Sequence, residues 1–426
     1  MMFSNPGPRI RFLILLSVAA TFSNIAFAQN ATSSSSKAAS LVLVQRVDHV
    51  DEAAREPAII EDPKGTLFVA GYGMISKEKE QTVPRLWKST DRGTTWSRVN
   101  VGGENEGALA NSDVSLAVAP DGTIYFATMQ FDRKTDEGVH IVVGVSADAG
   151  QTWRWKMLSK KRYDDRPWVA VAPDGTAHVI WNDGSDVYHT ASGDRGQTWS
   201  DPQVVNPDAG SSYLAVGPGG EVAVRLTPTS ASGNKYTEGI DLIAVSVDGG
   251  KSWAKHPAPG KRDWAPMDTP GITPRWVEPL AWDPRGSLYS LWTDYKGVWL
   301  AQSKDRGGTW KIYKVANADA VSYYPDLAVR PSGELAATWF SGAGESLHWY
   351  ACVIRFSPDA GQPSIAISDR LQTDSWTKSD EPDHALVRST AGEYLQPLFL
   401  KDGTLAVVSP IQGLKAGFTF WRLQTP

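Results

Sequence analysis

Cysteine is almost missing from this chain: Cys352 is the only one in 426 residues. An intrachain disulfide is thereby excluded, so packing and hydrogen bonding alone must hold the fold. Beyond the N-terminus there is no apolar run long enough for a membrane helix. The net charge is −5 and no basic stripe stands out, which removes the electrostatic case for nucleic acid. The patterns H-E-x-x-H and G-x-S-x-G and any Cys/His cluster are lacking, which argues against zincin, α/β-hydrolase and zinc chemistries. No metal and no cofactor is implied.

What is present is an ordinary globular balance, 41% hydrophobic and 21% charged, with ample length for a core. Residues 1–28 read as a secretory signal. Arg9 and Arg11 supply the positive start, Phe12 to Phe22 a short apolar stretch, and Ala26-Phe27-Ala28 a small-x-small cleavage site. Export to the periplasm or the extracellular space is therefore expected. Residues 29–40 are Ser/Ala-rich and read as a flexible lead-in to one domain, 41–426.

That domain is repetitive. The element S-x-D-x-G-x-T/S-W occurs at Ser89–Trp96, Ser146–Trp153, Ser192–Trp199, Ser246–Trp253 and Ser303–Trp310. A worn copy begins at Ser357-Pro358-Asp359-Ala360-Gly361 and has Pro363 and Ser364 where Thr and Trp belong. The chemistry is that of a corner. Asp accepts hydrogen bonds from backbone N–H groups just downstream, Gly supplies a left-handed residue, and Trp covers the turn. A second element, P-x-G between two apolar runs, appears at Pro63, Pro120, Pro173, Pro218, Pro284 and Pro331, with Lys401-Asp402-Gly403 as a seventh that lacks the proline. It predicts a hairpin, in which Pro fixes φ and Gly takes φ > 0.

Each unit then reads strand, P-x-G turn, strand, connection, strand, Asp/Gly/Trp corner, strand. Four antiparallel strands at this period make a propeller blade. Seven hairpin signals predict an all-β propeller of seven blades, with six blades plus a terminal sheet as the second reading. The last unit shows three strands, "YLQPLFL", "TLAVVSP" and "GFTFWRL". The early strand Leu41 to Val47 is expected to supply the fourth and close the ring.

The corners resemble the Asp-boxes of the sialidase-like superfamily, also called BNR repeat proteins, over essentially the whole mature chain. The resemblance implies that boxes sit on the face opposite the active site. Residues just ahead of each inner strand then line the working mouth. The position seven before the turn proline gives Glu56, Asp113, Arg166, Ser211, Val277 (beside Glu278), Tyr324 and Tyr394, with Arg55, Asp165, Tyr213, Arg275 and Asp326 as neighbours.

In that superfamily arginines clamp a substrate carboxylate and a Tyr attacks the anomeric carbon with a Glu as its base. Arg55-Glu56-Pro57 is similar to the segment at the first inner strand, Glu278-Pro279-Leu280 to the Glu segment, and Tyr324-Pro325-Asp326-Leu327 to the nucleophile segment. The resemblance therefore nominates Tyr324, Glu278, Arg55, Arg166 and Asp113 for catalysis. Glu56, Asp165, Tyr213, Trp264, Arg275, Asp326 and Tyr394 are nominated for substrate binding. Other expected positions have no match. Thr293 stands where a second clamp arginine belongs, no arginine occurs in 295–302, and between Gly71 and Ser89 only Glu78 and Glu80 are acidic. A lyase would instead use a His or Tyr base, for which His140, His178, His189 and His384 are candidates by type. The long Pro-rich loop Lys255 to Arg275, carrying Trp264, suits a binding wall. Two readings follow: a glycan-active enzyme, hydrolase or lyase, or a non-catalytic propeller that binds a glycan or protein.

Overall fold

A computed structural model describes residues 40–426, apart from 74–82, 133, 136, 208, 229–240, 261–277, 295–296, 318–320, 344–345, 358–360, 376–393 and 412–416. It contains seven antiparallel sheets of four strands each, one of them with an added fifth. Among the described residues the only helix is a short 3-10 turn at Glu104–Glu106. The inner strands of blades 1 to 7 are Arg55–Glu61, Val114–Val118, Asp165–Val171, Ala209–Val216, Leu280–Trp282, Val321–Val329 and Pro397–Phe399. Each lies beside the inner strand of the next blade, and blade 7 returns against blade 1. The ring is a seven-bladed propeller.

Closure comes from the expected element. Val42–Val50 pairs with Gly417–Gln424 as the outermost strand of blade 7, so both ends of the described chain share one sheet. The added strand is Gln372–Ser375, which pairs with Ser346–Arg355 in blade 6 and carries no repeat signature.

The P-x-G elements form the expected hairpins. In blade 1 the Gly65 N–H donates to the Asp62 carbonyl at 3.0 Å, and Gly65 sits at φ +87°. On this hairpin face the ring axis opens into a pit of about 630 Å³, ringed by Pro63, Pro120, Pro173, Pro218, Pro284 and Pro331, with Lys401 at the seventh corner.

The corners between third and fourth strands repeat one bonding scheme. The Ser89 hydroxyl donates to Asp91 Oδ1 at 2.8 Å and accepts from the Gly93 N–H at 2.8 Å. Asp91 also accepts from the Thr95 N–H and hydroxyl, at 2.9 and 2.6 Å. Those bonds, from the Thr95 hydroxyl first, hold its carboxyl down to about 2. The Trp96 indole donates to the Gly93 carbonyl at 3.1 Å and meets Phe418 and Phe420 of the preceding blade edge-on. Box aspartates 148, 194 and 305 are held at about 2 by the same kind of bond. Each of the five complete corners thus fastens its blade to the one before.

Candidate functional site

The sequence places its candidates at the start of the inner strands, on the face opposite hairpins and boxes. The backbone there has an unusual feature, repeated in three blades. Glu56, Arg166 and Tyr324 have φ of +48°, +51° and +44°, and each directly precedes a proline. The ladder to the second strand slips at the same points, between Arg55 and Ala58, Asp165 and Trp168, and Tyr323 and Asp326. A bulge re-aims a side chain. Positive φ is costly for a residue with a Cβ and is further restricted before proline. The three residues hold equivalent positions in their blades.

Around the mouth the candidates fall into groups. In blade 1 Arg55 lies 3.8 Å from the buried Glu56 carboxylate. Tyr72, on the second strand, hydrogen bonds to Glu56. Burial first, then the Glu56 charge, pushes its phenol well above the ordinary value, with Asp113 adding to the shift. Asp113 is half-buried at the head of blade 2. In blade 3 Arg166 Nη1 lies 3.8 Å from Asp165 Oδ2, both partly open to solvent.

A second group crosses the axis. The Tyr213 hydroxyl of blade 4 donates to Asp326 Oδ1 of blade 6 at 2.9 Å. Trp168 of blade 3 stands 4.7 Å from the Tyr213 ring and meets Tyr394 of blade 7 edge-on at 5.2 Å. None of these pairs is within one blade, and blades 4 and 6, like 3 and 7, are not neighbours. The side chains therefore meet over the centre of the ring. Burial raises the Asp326 carboxyl to about 6, against the bonds from the Leu327 N–H and Tyr213. Burial and the Asp326 charge together push the Tyr213 phenol far up.

Two catalytic candidates sit away from solvent. Tyr324 is 1% exposed and its ring belongs to the apolar cluster between blades 6 and 7, with Phe340, Trp349 and Trp421. Glu278 meets Arg225 at 2.9 Å from its Nε, and Arg225 also holds Asp241 at 2.9 Å, all three being buried. Sequence reasoning passes over Arg225, Asp241 and Tyr72. The signal for the first is an arginine inside the apolar strand "VAVRL". A charge there requires a buried partner.

Trp264, Arg275 and His384 lie outside the described residues, as does most of the loop Lys255 to Arg275. His140 Nδ1 is 2.8 Å from Gln130 Oε1. His178 and His189 bond to each other, Nδ1 to Nε2 at 3.0 Å, and are buried beside the Asp-box Trp253 of blade 4. They lie toward the box face. The turn at Asp183 is closed by its own carboxylate, which accepts from the Asp186 N–H at 3.0 Å and from Lys161 Nζ at 3.0 Å.

Among solved structures, a protein of unknown function from Dyadobacter fermentans is similar with a TM-score of 0.51 at 14% identity, over 91% of this chain and 99% of that one. A polysaccharide lyase described as an ulvan lyase is similar with a TM-score of 0.52 at 14% identity, over 89% and 96%. The intramolecular trans-sialidase from Ruminococcus gnavus gives 0.45 at 14% identity, over 88% and 97%. At such identities the likeness is one of fold. No curated protein matches the sequence. The BNR repeat-like domain family matches over residues 25–336, most of the chain. With its ring of Asp-box corners described above, the protein belongs to that family of sialidase-like propellers.

Proposed function

We propose that the protein is exported and acts on an acidic glycan at the ring mouth, as a glycoside hydrolase or polysaccharide lyase. One observation carries the reading. Glu56, Arg166 and Tyr324 occupy equivalent mouth positions with positive φ before proline. Strain of this kind, repeated on a charged or phenolic residue, is a signature of side chains aimed for a task. Arg55 and Arg166 are partly open and suit a substrate carboxylate, which they would bind in charge-assisted hydrogen bonds. Asp326, raised to about 6 and bonded to Tyr213, is suited to moving a proton near neutral pH. Asp113 and Asp165 supply acceptors for sugar hydroxyls, and Glu56, Tyr394, Trp264 and Arg275 are proposed to contribute to substrate binding.

Both reaction classes need a carboxylate clamp and a proton carrier. A hydrolase adds water across the glycosidic bond, whereas a lyase removes a proton beside the uronate and leaves a double bond. The test is to assay the purified protein on sialosides and on uronate-containing polysaccharides, following reducing ends and unsaturated product separately. Arg166→Ala and Asp326→Asn should each lower turnover by about a hundred-fold or more. Tyr324→Phe separates a chemical role for its hydroxyl from ring packing. Turnover that survives Arg166→Ala and Asp326→Asn overturns the assignment. Export predicts that the secreted protein begins at Gln29, which N-terminal sequencing checks.

The near-complete burial of Tyr324, Glu56 and Asp326 favours a second reading, binding without turnover. It predicts no product from any acidic glycan in the panel, with saturable binding that Arg55→Ala and Arg166→Ala weaken.

A further inference from the structure

The sixth corner departs from the other five, and its departure has a spatial result. In a complete box the Trp lies between its own blade and the one before. Trp199 of blade 3 meets Tyr125 of blade 2 edge-on at 6.4 Å, and Trp253 of blade 4 meets His189 of blade 3 at 5.4 Å. Tyr289 of blade 5 stands where Tyr125 stands in blade 2, one residue into the second strand. Its covering Trp would come from blade 6, where Ser364 occupies the position and is exposed. The box glycine behaves accordingly. A Cβ on Gly93, Gly150 or Gly196 would press on Phe420, Phe68 or Val145 of the preceding blade, whereas one on Gly361 would meet nothing within 4 Å. The Gly361 carbonyl takes Lys311 Nζ at 3.1 Å, where the carbonyls of Gly93 and Gly150 take their own box Trp indoles.

Phe356 of blade 6 takes up part of that space, 5.6 Å from the Tyr289 ring, and beside it lies a cavity of about 790 Å³ between blades 5 and 6, within the range of small-ligand sites. Its wall carries three aromatic side chains, Trp310, Tyr313 and Phe356, and three cations, Arg285, Lys304 and Lys311. The acid in the wall, Asp283, is already engaged. It accepts from the Arg285 and Ser287 N–H groups at 2.9 Å each and from the Tyr289 hydroxyl at 3.1 Å, and Arg285 Nε lies 3.7 Å away. Gln302 donates to the Tyr289 hydroxyl at 2.7 Å. An aromatic platform beside several cations, on a protein of net charge −5, selects a flat-faced anion.

The geometry points to an accessory binding pocket for an anionic sugar residue, in the slot left by the missing box tryptophan. Aromatic rings stack on the apolar face of the pyranose, and Arg285 and Lys304 meet its carboxylate or sulfate. The pocket lies on the box side of the ring and does not rest on the activity proposed at the mouth. Its role would be to hold a polysaccharide chain on the protein.

The test is calorimetric titration of the mature protein in an Arg55→Ala/Arg166→Ala background, which removes the mouth arginines from competition. The probes are a glucuronate-containing tetrasaccharide, its carboxyl-reduced neutral counterpart, and a sulfated tetrasaccharide of neutral sugars. At least one anionic probe should bind, and the neutral one should bind about ten-fold or more weaker. The preferred anionic probe identifies carboxylate or sulfate as the recognised group. Arg285→Ala/Lys304→Ala should weaken binding by a similar factor. Ser364→Trp restores the covering ring and should abolish binding while raising the melting temperature. If Ser364→Trp fails to fold, the cation variant still decides. Binding that survives the cation variant, equal binding of the neutral probe, or no binding of either anionic probe overturns the proposal.

Discussion

Two histidines that suit proton transfer by type are turned inward and kept neutral. Burial lowers His178 to about 4, and burial followed by the His178 charge lowers His189 to about 3. The ordinary value is 6.5, so below it the unfolded chain takes up protons that the native pair refuses. Stability should therefore fall as pH drops from about 6.5 toward 4. Asp326 and Asp164, both raised to about 6 by burial, act in the opposite sense, binding protons in the native state first. The pair is isolated by comparing wild type with His178→Gln/His189→Gln. Urea midpoints across pH 4–8 should show a shallower acid decline in the variant; an unchanged slope would refute the assignment. Asp326 supports its own prediction. A buried carboxyl with a raised value is stable when protonated, and that stability is lost as pH rises through about 6. Asp326→Asn should therefore stabilise the protein at pH 8 by about 1–2 kcal/mol, while lowering turnover. Thermal melts at pH 8 alongside activity assays check both halves. The residue scale is also where the sequence is least legible. Glu278 and Tyr324 stand out by local motif, but their surroundings are set by blades distant in sequence. Arg225, beside Glu278 of blade 5, comes from blade 4, and Trp421, in the cluster around Tyr324 of blade 6, comes from blade 7.

At the scale of strands and turns much more can be read, because the determining interactions are short. The P-x-G hairpins and the Asp-boxes each close within about five residues, so Pro, Gly and Asp announce them. Gln372–Ser375 escapes notice because it joins its sheet without a turn motif, skipping past Ser364–Ile367. The X-Pro bulges lie between these cases. The dipeptides Glu56-Pro57, Arg166-Pro167 and Tyr324-Pro325 are visible in the sequence, but their positive φ follows from a ladder slip that only pairing shows. If that strain serves the mouth, releasing it should separate stability from function. Arg166→Gly removes the Cβ penalty and should leave the fold unharmed or more stable by up to about 1 kcal/mol. Glycan binding or turnover should be lost. A variant that melts well below wild type would show that Arg166 is structural. The corners make the opposite prediction. Trp199→Ala empties the joint between blades 2 and 3 and should cost about 3 kcal/mol, read from denaturant midpoints, with no effect on recognition at the mouth.

For the whole molecule the decisive contact is the one that closes the ring. Six blades are built from consecutive strands, each completed before the next begins; blade 7 alone waits for a strand made at the other end of the chain. Val42–Val50 supplies it, pairing along its length with Gly417–Gln424. Asp48 Oδ1 accepts from the Thr419 hydroxyl at 2.8 Å, and His49 lies 5.1 Å from the Phe418 ring. The following residues reach blade 1. Asp51 accepts from the Trp87 indole at 3.1 Å, and Glu52 lies 3.0 Å from Arg85. One segment therefore joins the first and last blades, with no disulfide to share the task. A chain beginning at Asp51 would keep the six consecutive blades but present the third strand of blade 7 as a bare, apolar edge. It should lose the single cooperative melt and associate through that edge, seen as a shift to larger species on size exclusion. A synthetic peptide spanning 41–50, added during refolding, should restore the monomer and the melt. A truncated chain that stays monomeric and melts with wild type would show that inter-blade packing, without this strand, suffices to hold the circle.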